Sequence, residues 1–406
     1  MSTLSNNFQG AWEQMNQLFS PSEYVSNLRL NFSTRDWPDR KDEDFKYTNM
    51  SRLVGKNFHL PPKELFDISP DDTINRIVFV NGFLNSSQIL DKNIAVSEQE
   101  VKFSILQHNS HQFMSQLNQA GGAKTTLINI SGQILRPLII QYFNVGCTEE
   151  SLVQPRIEIK LEANSTVSII EESINQTEGG SFINKLCSIS IGENSQMHHY
   201  RLQCEGLHTI YNATNHVEVG KNAKYKTWNF NYGSLLAREV NQVKLIAEYA
   251  STDIYGLYLP DGKRQHDHHV EVYHDAKNTT SNQHYKGILK DHSRAVFNGR
   301  IFVAKAATDA QAKQLNNNLL LSNNSEIDTK PELIIDNPDV KCSHGATVGQ
   351  LSQEQTFYLM SRGMTLAQAE DMLCHAFSNE IVASIVDNAI QERIIFAQNS
   401  FFNLGE

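Results

Sequence analysis

Two short segments of the chain carry side chains at spacings that suit metal binding. In the first, His266 and His268 are separated by one residue, and His274 follows in the same alternation. Successive side chains of a strand point to opposite faces, so an extended segment places all three imidazoles on one face. Grouped imidazoles are suitable ligands for iron, zinc or copper. His266 and His268 are therefore candidate metal ligands.

Other interpretations of this histidine segment stay open. A cupin metal site has a longer spacing between its glycine and its first histidine than the three residues that separate Gly262 from His266, and no matching second half follows. The structural alternative is a set of histidines in a polar turn that hydrogen-bond to the backbone. The spacing disfavours a cupin site, but it does not decide between a metal site and structural histidines.

The second segment contains Cys342 and His344, again one residue apart, with Lys341 beside them. An extended backbone places the thiol and the imidazole on one face, and the neighbouring imidazole and lysine favour the thiolate. Thiolate and imidazole are both iron ligands in iron–sulfur chemistry. Two ligands do not complete a metal site, so a partner chain or an exogenous ligand would have to supply the others. The alternative is a buried cysteine and a backbone-bonded histidine at a domain junction.

Composition excludes several classes of function. The 406 residues carry a formal net charge of -10 and no lysine- or arginine-rich run, which argues against nucleic acid as a partner. No stretch reaches the roughly 18–20 apolar residues of a membrane span, and no secretory signal is visible at the N-terminus. The five cysteines include no C-x-x-C pair, which favours a reducing cytoplasm. No nucleotide-binding loop is present, so we expect this chain to bind no nucleotide.

The middle of the chain has the period of a half-buried strand. Ile157, Ile159 and Leu161 alternate with charged residues, and a pattern of alternating apolar residues closed by Asn or Asp and then Ala or Ser recurs about every 28 to 30 residues. The copies end at Asn164, Asn194, Asn222, Asp275 and Asn324, and the 53 residues between Asn222 and Asp275 are two steps with a degenerate copy at 243–250 between them. A repeat of this period indicates a β-solenoid, with these residues at tight corners. An ordinary β-sandwich is the alternative.

Helical patterns flank this region and divide the chain into three predicted domains. They are an N-terminal helical domain at 1–95, a parallel β-helix core at 96–344 and a C-terminal helical domain at 345–406. In the last of these, Ser352 with Gln355 and Thr365 with Gln368 have the spacing of helix caps. Two apolar stripes follow. The first consists of Leu366, Ala369, Met372, Leu373, Ala376 and Phe377, and the second of Ile381, Ile385, Ala389, Ile390 and Ile394.

Four passages resemble the SufB/SufD family of iron–sulfur cluster assembly proteins. They are DEDFKYTNM (42–50), SNQHYKGILKDHSRAVFNGRIFV (281–303), KPELIIDNPDVKCSHGATVGQ (330–350) and FYLMSRGMTLAQAEDML (357–373). SufB has a different passage where this chain has KCSHGATVG, so the resemblance is to the SufD branch. The resemblance implies a right-handed parallel β-helix flanked by helical domains, in agreement with the zones above.

The resemblance also implies a function and a set of partners. The chain would be a non-enzymatic scaffold that pairs with a SufB-like paralogue and docks a SufC-type ATPase, present in two copies, through its C-terminal helices. His344, with Cys342 beside it, would lie at the interface with SufB and help to hold a transient iron–sulfur cluster or iron. No role is carried over to His266 or His268. Whether the isolated chain forms a homodimer stays open.

Two other classes of function compete with the scaffold. A β-helix enzyme acting on polysaccharide is usually secreted and uses clustered carboxylates, and the sequence shows neither a signal peptide nor such a cluster. A self-sufficient metalloprotein would bind its metal through His266 and His268. Stoichiometric metal in the purified chain, lost on substitution of both histidines, would favour the metalloprotein.

Overall fold

The computed structural model describes residues 4–62, 71, 73–100, 112–122, 124–175 and 179–402, and it is mainly β. The strands, in chain order, are β1 Asn75–Val80, β2 Phe83–Gln88, β3 Ile94–Gln99, β4 Thr125–Ile130, β5 Leu138–Asn144, β6 Leu152–Val153, β7 Arg156–Leu161, β8 Thr166–Asn175, β9 Phe182–Ile191, β10 Gln196–Cys204, β11 Ile210–Val219, β12 Lys224–Asn231, β13 Leu236–Leu245, β14 Ser251–Tyr258, β15 Gln265–His274, β16 Thr280–Leu289, β17 Arg294–Val303, β18 Gln311–Leu320, β19 Glu326–Ile335 and β20 Lys341–Gly349.

These strands form a parallel β-helix of about eight turns. From β7 onwards the chain passes alternately between two sheets, and each strand pairs in parallel with the strand two positions later. The first sheet runs β2-β1-β5-β8-β10-β12-β14-β16-β18-β20, and the second runs β19-β17-β15-β13-β11-β9-β7-β4-β3 with β6 beside β9. Among the strands of the described residues, the pairs β1–β2 and β3–β4 alone are antiparallel. The predicted β-solenoid is confirmed, and the sandwich alternative is wrong.

The alternation in the sequence sets which side chains fill the solenoid. Ile157, Ile159 and Leu161 of β7 are at most 1% exposed and join the main apolar cluster between the two sheets. Strands extend from Asn75 to Gly349, which is beyond the predicted core of 96–344 at both ends. The division into three domains stays a prediction.

The repeated corners have the conformation that their residue types favour. Asn164, Asn194 and Asn222 have φ of 58°, 57° and 53°, a left-handed region that asparagine tolerates better than most residues. Their amides stack along the corner, since Asn194 Nδ2 donates to Asn164 Oδ1 at 3.3 Å and Asn222 Nδ2 donates to Asn194 Oδ1 at 3.1 Å. This part of the repeat pattern is confirmed.

The two later copies of the pattern are shifted. The left-handed residue of the fourth copy is Asn278, three residues after Asp275, because the chain makes a longer turn after β15. Asn324 is not left-handed. The alternation of apolar residues therefore predicted the positions of the strands. The Asn or Asp followed by Ala or Ser did not always predict which residue forms the left-handed corner.

The helices precede and follow the strands in the chain, except for one helix that lies between β3 and β4. They are α1 Leu4–Leu18, α2 Glu23–Phe32, α3 Gln112–Ala120, α4 Gln353–Ser361, α5 Leu366–Val382 and α6 Asn388–Phe402, with 3-10 turns at Glu43–Phe45 and Met50–Leu53. The first three form an aromatic cluster with the starts of β9, β11 and β13. In this cluster Phe8 stacks on Phe58 at 4.9 Å and both approach Phe182.

The C-terminal helices cover the outer face of the first sheet. Trp228 of β12 stacks on Tyr200 with ring centroids 4.6 Å apart, and its indole donates to Ser384 Oγ at 2.7 Å. The second predicted stripe is confirmed at its four isoleucines, which are buried in this cluster, whereas Ala389 is exposed. The first stripe is buried only in part, since Ala369 is 0% exposed and Phe377 packs on this cluster, whereas Leu366 and Met372 are 51% and 49% exposed. Both predicted caps form, the second as a complete capping box.

Asn194→Val should lower the free energy of unfolding by about 1–3 kcal/mol, because a β-branched residue is strained at positive φ. Asn194→Gly should cost less, since glycine has no such strain. The matched control is Glu193→Val, at the exposed residue before the corner. Urea unfolding of the three variants measures the difference. Equal losses for the two valine variants would contradict the left-handed corner.

Candidate functional site

The last turn of the β-helix forms an open end. β19 and β20 are the final strands of their sheets, and each pairs with a neighbour on one side only. Apolar side chains are exposed there, with Ile334, Ile335 and Val348 between 40% and 48% exposed. An unpaired strand edge with exposed apolar residues is a template for pairing with another chain, which most proteins protect.

The candidate pair Cys342 and His344 lies on β20, at this open end. The register places Cys342 beside Ala312 and His344 beside Gln314 of β18. Ala312 and Gln314 are 4% and 1% exposed, because they face the interior of the solenoid. Cys342 and His344 therefore lie on the inward-facing side of a turn that no further turn covers. The structure brings the two residues to one face, as their spacing predicts.

The two side chains differ in environment. His344 is exposed, whereas Cys342 is half-buried and packs on the small apolar cluster of the last turns with Leu333 and Val340. Burial raises the pKa of the Cys342 thiol above its usual value. This is opposite to the shift toward thiolate that the neighbouring imidazole and lysine suggested. The structure thus leaves His344 as the more accessible of the two candidate ligands.

The second candidate pair, His266 and His268, is enclosed inside the solenoid. Both are 0% exposed on β15, with ring centroids 6.3 Å apart. His266 Nε2 lies 2.9 Å from the Gly233 carbonyl oxygen, and His268 stacks on Tyr258 at 4.8 Å. Burial lowers the pKa of His266 to about 3 and lowers that of His268. Among the described residues no group of three or more His, Cys, Asp and Glu side chains is arranged to hold a metal ion.

His274 shares the inward face of β15 but has its own partners. Its Nδ1 lies 2.8 Å from Thr279 Oγ1, and its Nε2 lies 2.8 Å from Ser281 Oγ. Each hydroxyl can donate or accept, so a neutral imidazole satisfies both contacts. Burial lowers the pKa of His274 to about 4. His274 is held as a structural residue by these contacts.

A charged network inside the solenoid was not found by sequence reasoning. Glu171 of β8 contacts the Lys185 ammonium, accepts a hydrogen bond from Tyr142 at 2.9 Å and lies 2.7 Å from His199 Nε2. Because a carboxylate only accepts, His199 Nε2 carries the proton, and its Nδ1 accepts from the Tyr225 hydroxyl at 3.0 Å. The sequence does contain a signal for this network, because Glu171 continues the alternation of the buried Val167 and Ile169 on the inward face of β8.

A second buried cluster joins the N-terminal segment to the second sheet. Asp267 contacts the Arg238 guanidinium and the Thr48 hydroxyl, and His269 Nε2 lies 2.9 Å from Asp267 Oδ1. Burial alone would raise the pKa of Asp267, but His269 and Arg238 hold it well below its usual range. The Phe45 ring covers Arg238 at 4.5 Å. The segment DEDFKYTNM is therefore fixed to the solenoid.

The C-terminal helices present an exposed apolar surface beside the open end. Helix α4 has no buried residue, and Phe357, Tyr358 and Met360 are 74%, 57% and 43% exposed. A cleft of about 390 Å³ lies between α4, the start of α5 and the segment after β18. Its apolar lining consists of Leu320, Leu321, Leu351, Phe357, Met360 and Leu366. This surface, the α4 face, has the form of a docking site.

These features define a parallel β-helix protein with helical extensions, an open last turn and an apolar helical face beside that turn. Residues 143–377 match the family model described as the SUF system FeS cluster assembly, SufBD core domain. The chain belongs to this SufBD family of iron–sulfur cluster assembly proteins. The matched range runs from the end of β5 into α5 and includes both candidate sites.

Similar proteins come from bacteria and from a plant. An iron–sulfur cluster assembly SufBD family protein of Synechocystis is 30% identical over 94% of this chain and 89% of its own length. The iron–sulfur cluster assembly protein SufD of Escherichia coli is 28% identical over 88% of each chain. The chloroplastic protein ABCI7 of Arabidopsis thaliana is 24% identical over 92% of this chain and 86% of its own length. Within the described ranges, every helix is too short or too polar to cross a bilayer.

The buried histidines should make the fold sensitive to mild acid. In the unfolded chain a histidine has a pKa of about 6.5, whereas in the folded chain burial lowers the pKa of His274 to about 4. The unfolded state then binds more protons between these values, so this contribution to stability is lost as the pH falls. The loss for His274 is about 2 kcal/mol between pH 7 and pH 5.

His274→Gln should therefore lose about 2 kcal/mol less stability than the natural chain between pH 7 and pH 5. Glutamine keeps a donor and an acceptor for Thr279 and Ser281 but does not titrate. Urea unfolding at both pH values gives the comparison, and His208→Gln, at a largely exposed histidine, is the control. An unchanged pH dependence in His274→Gln would contradict the assignment.

Proposed function

We propose that this chain is a non-enzymatic scaffold subunit of a cytoplasmic complex that assembles iron–sulfur clusters. Its partners in the proposal are a SufB-like paralogue and two copies of a SufC-type ATPase. The observation that carries the proposal is the open last turn of the β-helix, where His344 lies at an unpaired strand edge. Membership of the SufBD family supports the cluster-assembly role, and a relative named SufD covers most of the chain.

The open end supports pairing with a second β-helix. The free backbone groups of β19 and β20 can pair with strands of another chain, and the exposed Ile334, Ile335 and Val348 supply apolar surface for the same contact. A paralogue with the same fold offers edges of matching spacing. Pairing there would enclose the inward face of β20, so His344 would lie inside the interface.

In this arrangement the cluster is cargo at the interface. His344 contributes one imidazole ligand, and the paralogue contributes the essential thiolate. Cys342 is the lesser companion, because its half-buried thiol has a raised pKa and packs on apolar neighbours. A ligand set divided between two chains accounts for the observation that the described residues of this chain alone form no three-ligand group.

The α4 face is the proposed docking site for the ATPase. Its exposed aromatic and methionine side chains have the composition of an interface core. The rest of the C-terminal region packs on the solenoid, where the Lys286 ammonium of β16 donates to Phe377 O of α5 at 2.9 Å and contacts Glu380. Movement of the docked helices can therefore reach β16, β18 and β20 in turn, which supports coupling of ATPase closure to the interfacial site.

His344→Ala in the assembled complex should lower the rate of cluster formation by about tenfold or more, as expected for loss of a metal ligand or its support. The chain should still fold, because the side chain is exposed. Cys342→Ser should cause a smaller loss. The growth of the cluster's visible absorbance measures the rate, and size-exclusion chromatography measures assembly.

The control for this prediction is Ser343→Ala, at an exposed position on the opposite face of β20, which should form clusters normally. If His344→Ala dissociates the complex, the histidine is a structural residue of the interface. A normal rate of cluster formation in an intact His344→Ala complex would remove the residue from the cluster site.

Phe357→Asp should weaken ATPase binding by about tenfold or more, because it places a charge within an apolar interface. A point variant is preferable to truncation after Gly349, since removing α5 and α6 would expose the aromatic face around Trp228. Calorimetric titration of the full-length chain with the ATPase measures the affinity. The matched control is Leu30→Asp, at a leucine of α2 that is 69% exposed. Equal affinities of the two variants would place the ATPase elsewhere.

A further inference from the structure

Two stacked amides inside the solenoid lead to His344. The parallel registers align Gln283 of β16, Gln314 of β18 and His344 of β20 on the same inward-facing rung. Gln283 and Gln314 are 0% and 1% exposed, and Gln314 Nε2 donates to Gln283 Oε1 at 2.7 Å. His344 is thus the third of three polar positions in this row, which begins at Gln283 because the apolar Ile254 precedes it.

The carbonyl end of the Gln314 amide has no partner among the described residues. Leaving a buried amide oxygen unsatisfied costs about 1–3 kcal/mol, so such groups usually have a role. On the opposite sheet a glycine, Gly299, faces this amide. A Cβ at that position would lie only 2.0 Å from Gln314 Nε2, so the absence of a side chain at Gly299 makes room for the amide. Since Nε2 is held by the preceding turn, Oε1 is left for a donor from another side, and His344 is its neighbour on the following turn.

The other amide rows of the protein show the direction of such bonds. At the corner, Asn222 donates to Asn194 and Asn194 donates to Asn164, so each turn donates to the turn before it. Gln314 donates to Gln283 in the same sense. Continuing the row by one turn requires an N–H donor opposite Gln314 Oε1, and the imidazole of His344 has one.

We propose that Gln314 is a positioning residue for His344, with Gln314 Oε1 accepting the hydrogen bond of one imidazole N–H. His344 is exposed in this structure and makes no such bond there, so the bond forms when the imidazole turns onto the amide. The inference rests on the proposed function for its consequence, because the other ring nitrogen is then fixed as the one that faces the cluster. A histidine ligand whose second nitrogen is held in this way is oriented and made more basic.

A neutral amide suits this position. A carboxylate at Gln314 would still accept from the imidazole, but it would introduce a charge into a buried row whose other buried polar member is the Gln283 amide. Leucine has a similar size and offers no acceptor. Gln314→Glu therefore removes the amide but keeps an acceptor for the imidazole, whereas Gln314→Leu removes both.

The first test uses the full-length chain without cluster, at one fixed pH of about 8, where histidines are neutral. A hydrogen-bonded imidazole proton exchanges slowly, so the chain labelled with ¹⁵N-histidine should show an N–H resonance that His344→Ala removes. Gln314→Leu should remove the same resonance, and Gln314→Glu should keep it. Resonances of the buried His274 serve as the internal control. Absence of the resonance in the natural chain, or its survival in Gln314→Leu, would overturn the inference.

The second test measures cluster formation in the complex. Gln314→Leu should slow it by about tenfold or more, Gln314→Glu should restore most of the rate, and Gln314→Leu should add no further loss to His344→Ala. An additive loss would mean that Gln314 acts by stabilising the fold rather than through His344. If His344→Ala forms clusters normally while the resonance behaves as expected, the proposed function fails and the hydrogen-bonded pair stands.

Discussion

Parallel hydrogen bonding between successive turns, in unbroken register, is the interaction on which the other features of this structure depend. Along the first sheet from β8 to β18, each strand is paired in parallel with one strand on the turn before it and one on the turn after it. A shift of one residue would exchange the inward and outward faces of a strand and bury its charged side chains. The stacked asparagines at the corner and the charged network around Glu171 make such a shift more costly, because their partners lie on specific turns.

The same register also decides which inward-facing side chains are accessible to a ligand. Inside the solenoid every inward-facing position is covered by the following turn, so His266 and His268 are enclosed although their residue types suit a metal. The last turn has no following turn. Cys342 and His344 occupy interior positions of the repeat and are also accessible, which is a property of the end of a solenoid and not of these residue types. The helices at the C-terminus leave this end uncovered and pack on the outer face of the first sheet.

The sequence predicted the parts of the structure that depend on local patterns. Alternation at Ile157, Ile159 and Leu161, repetition at Asn164, Asn194 and Asn222, and the caps at Ser352 and Thr365 each act over a few residues, and the structure has all of them. The partners that the turns bring together were not predictable in this way. Glu171 meets Lys185 and His199, and Thr48 meets Asp267, over separations that depend on the lengths of the intervening turns. The shifted corner at Asn278 shows that these lengths vary.

The buried amides of Gln283 and Gln314 bear both on the stability of the solenoid and on the candidate site at His344. An apolar interior would be the simpler way to hold two sheets together, and most of the interior near the asparagine corner is apolar. The row that contains Gln283 and Gln314 is polar over its last turns instead, and it leads to the open end. Buried amides contribute little net stability when paired and cost stability when unpaired. Their placement is therefore better explained by the last turn, where an interior row must end at a side chain that faces another molecule, than by the needs of the core.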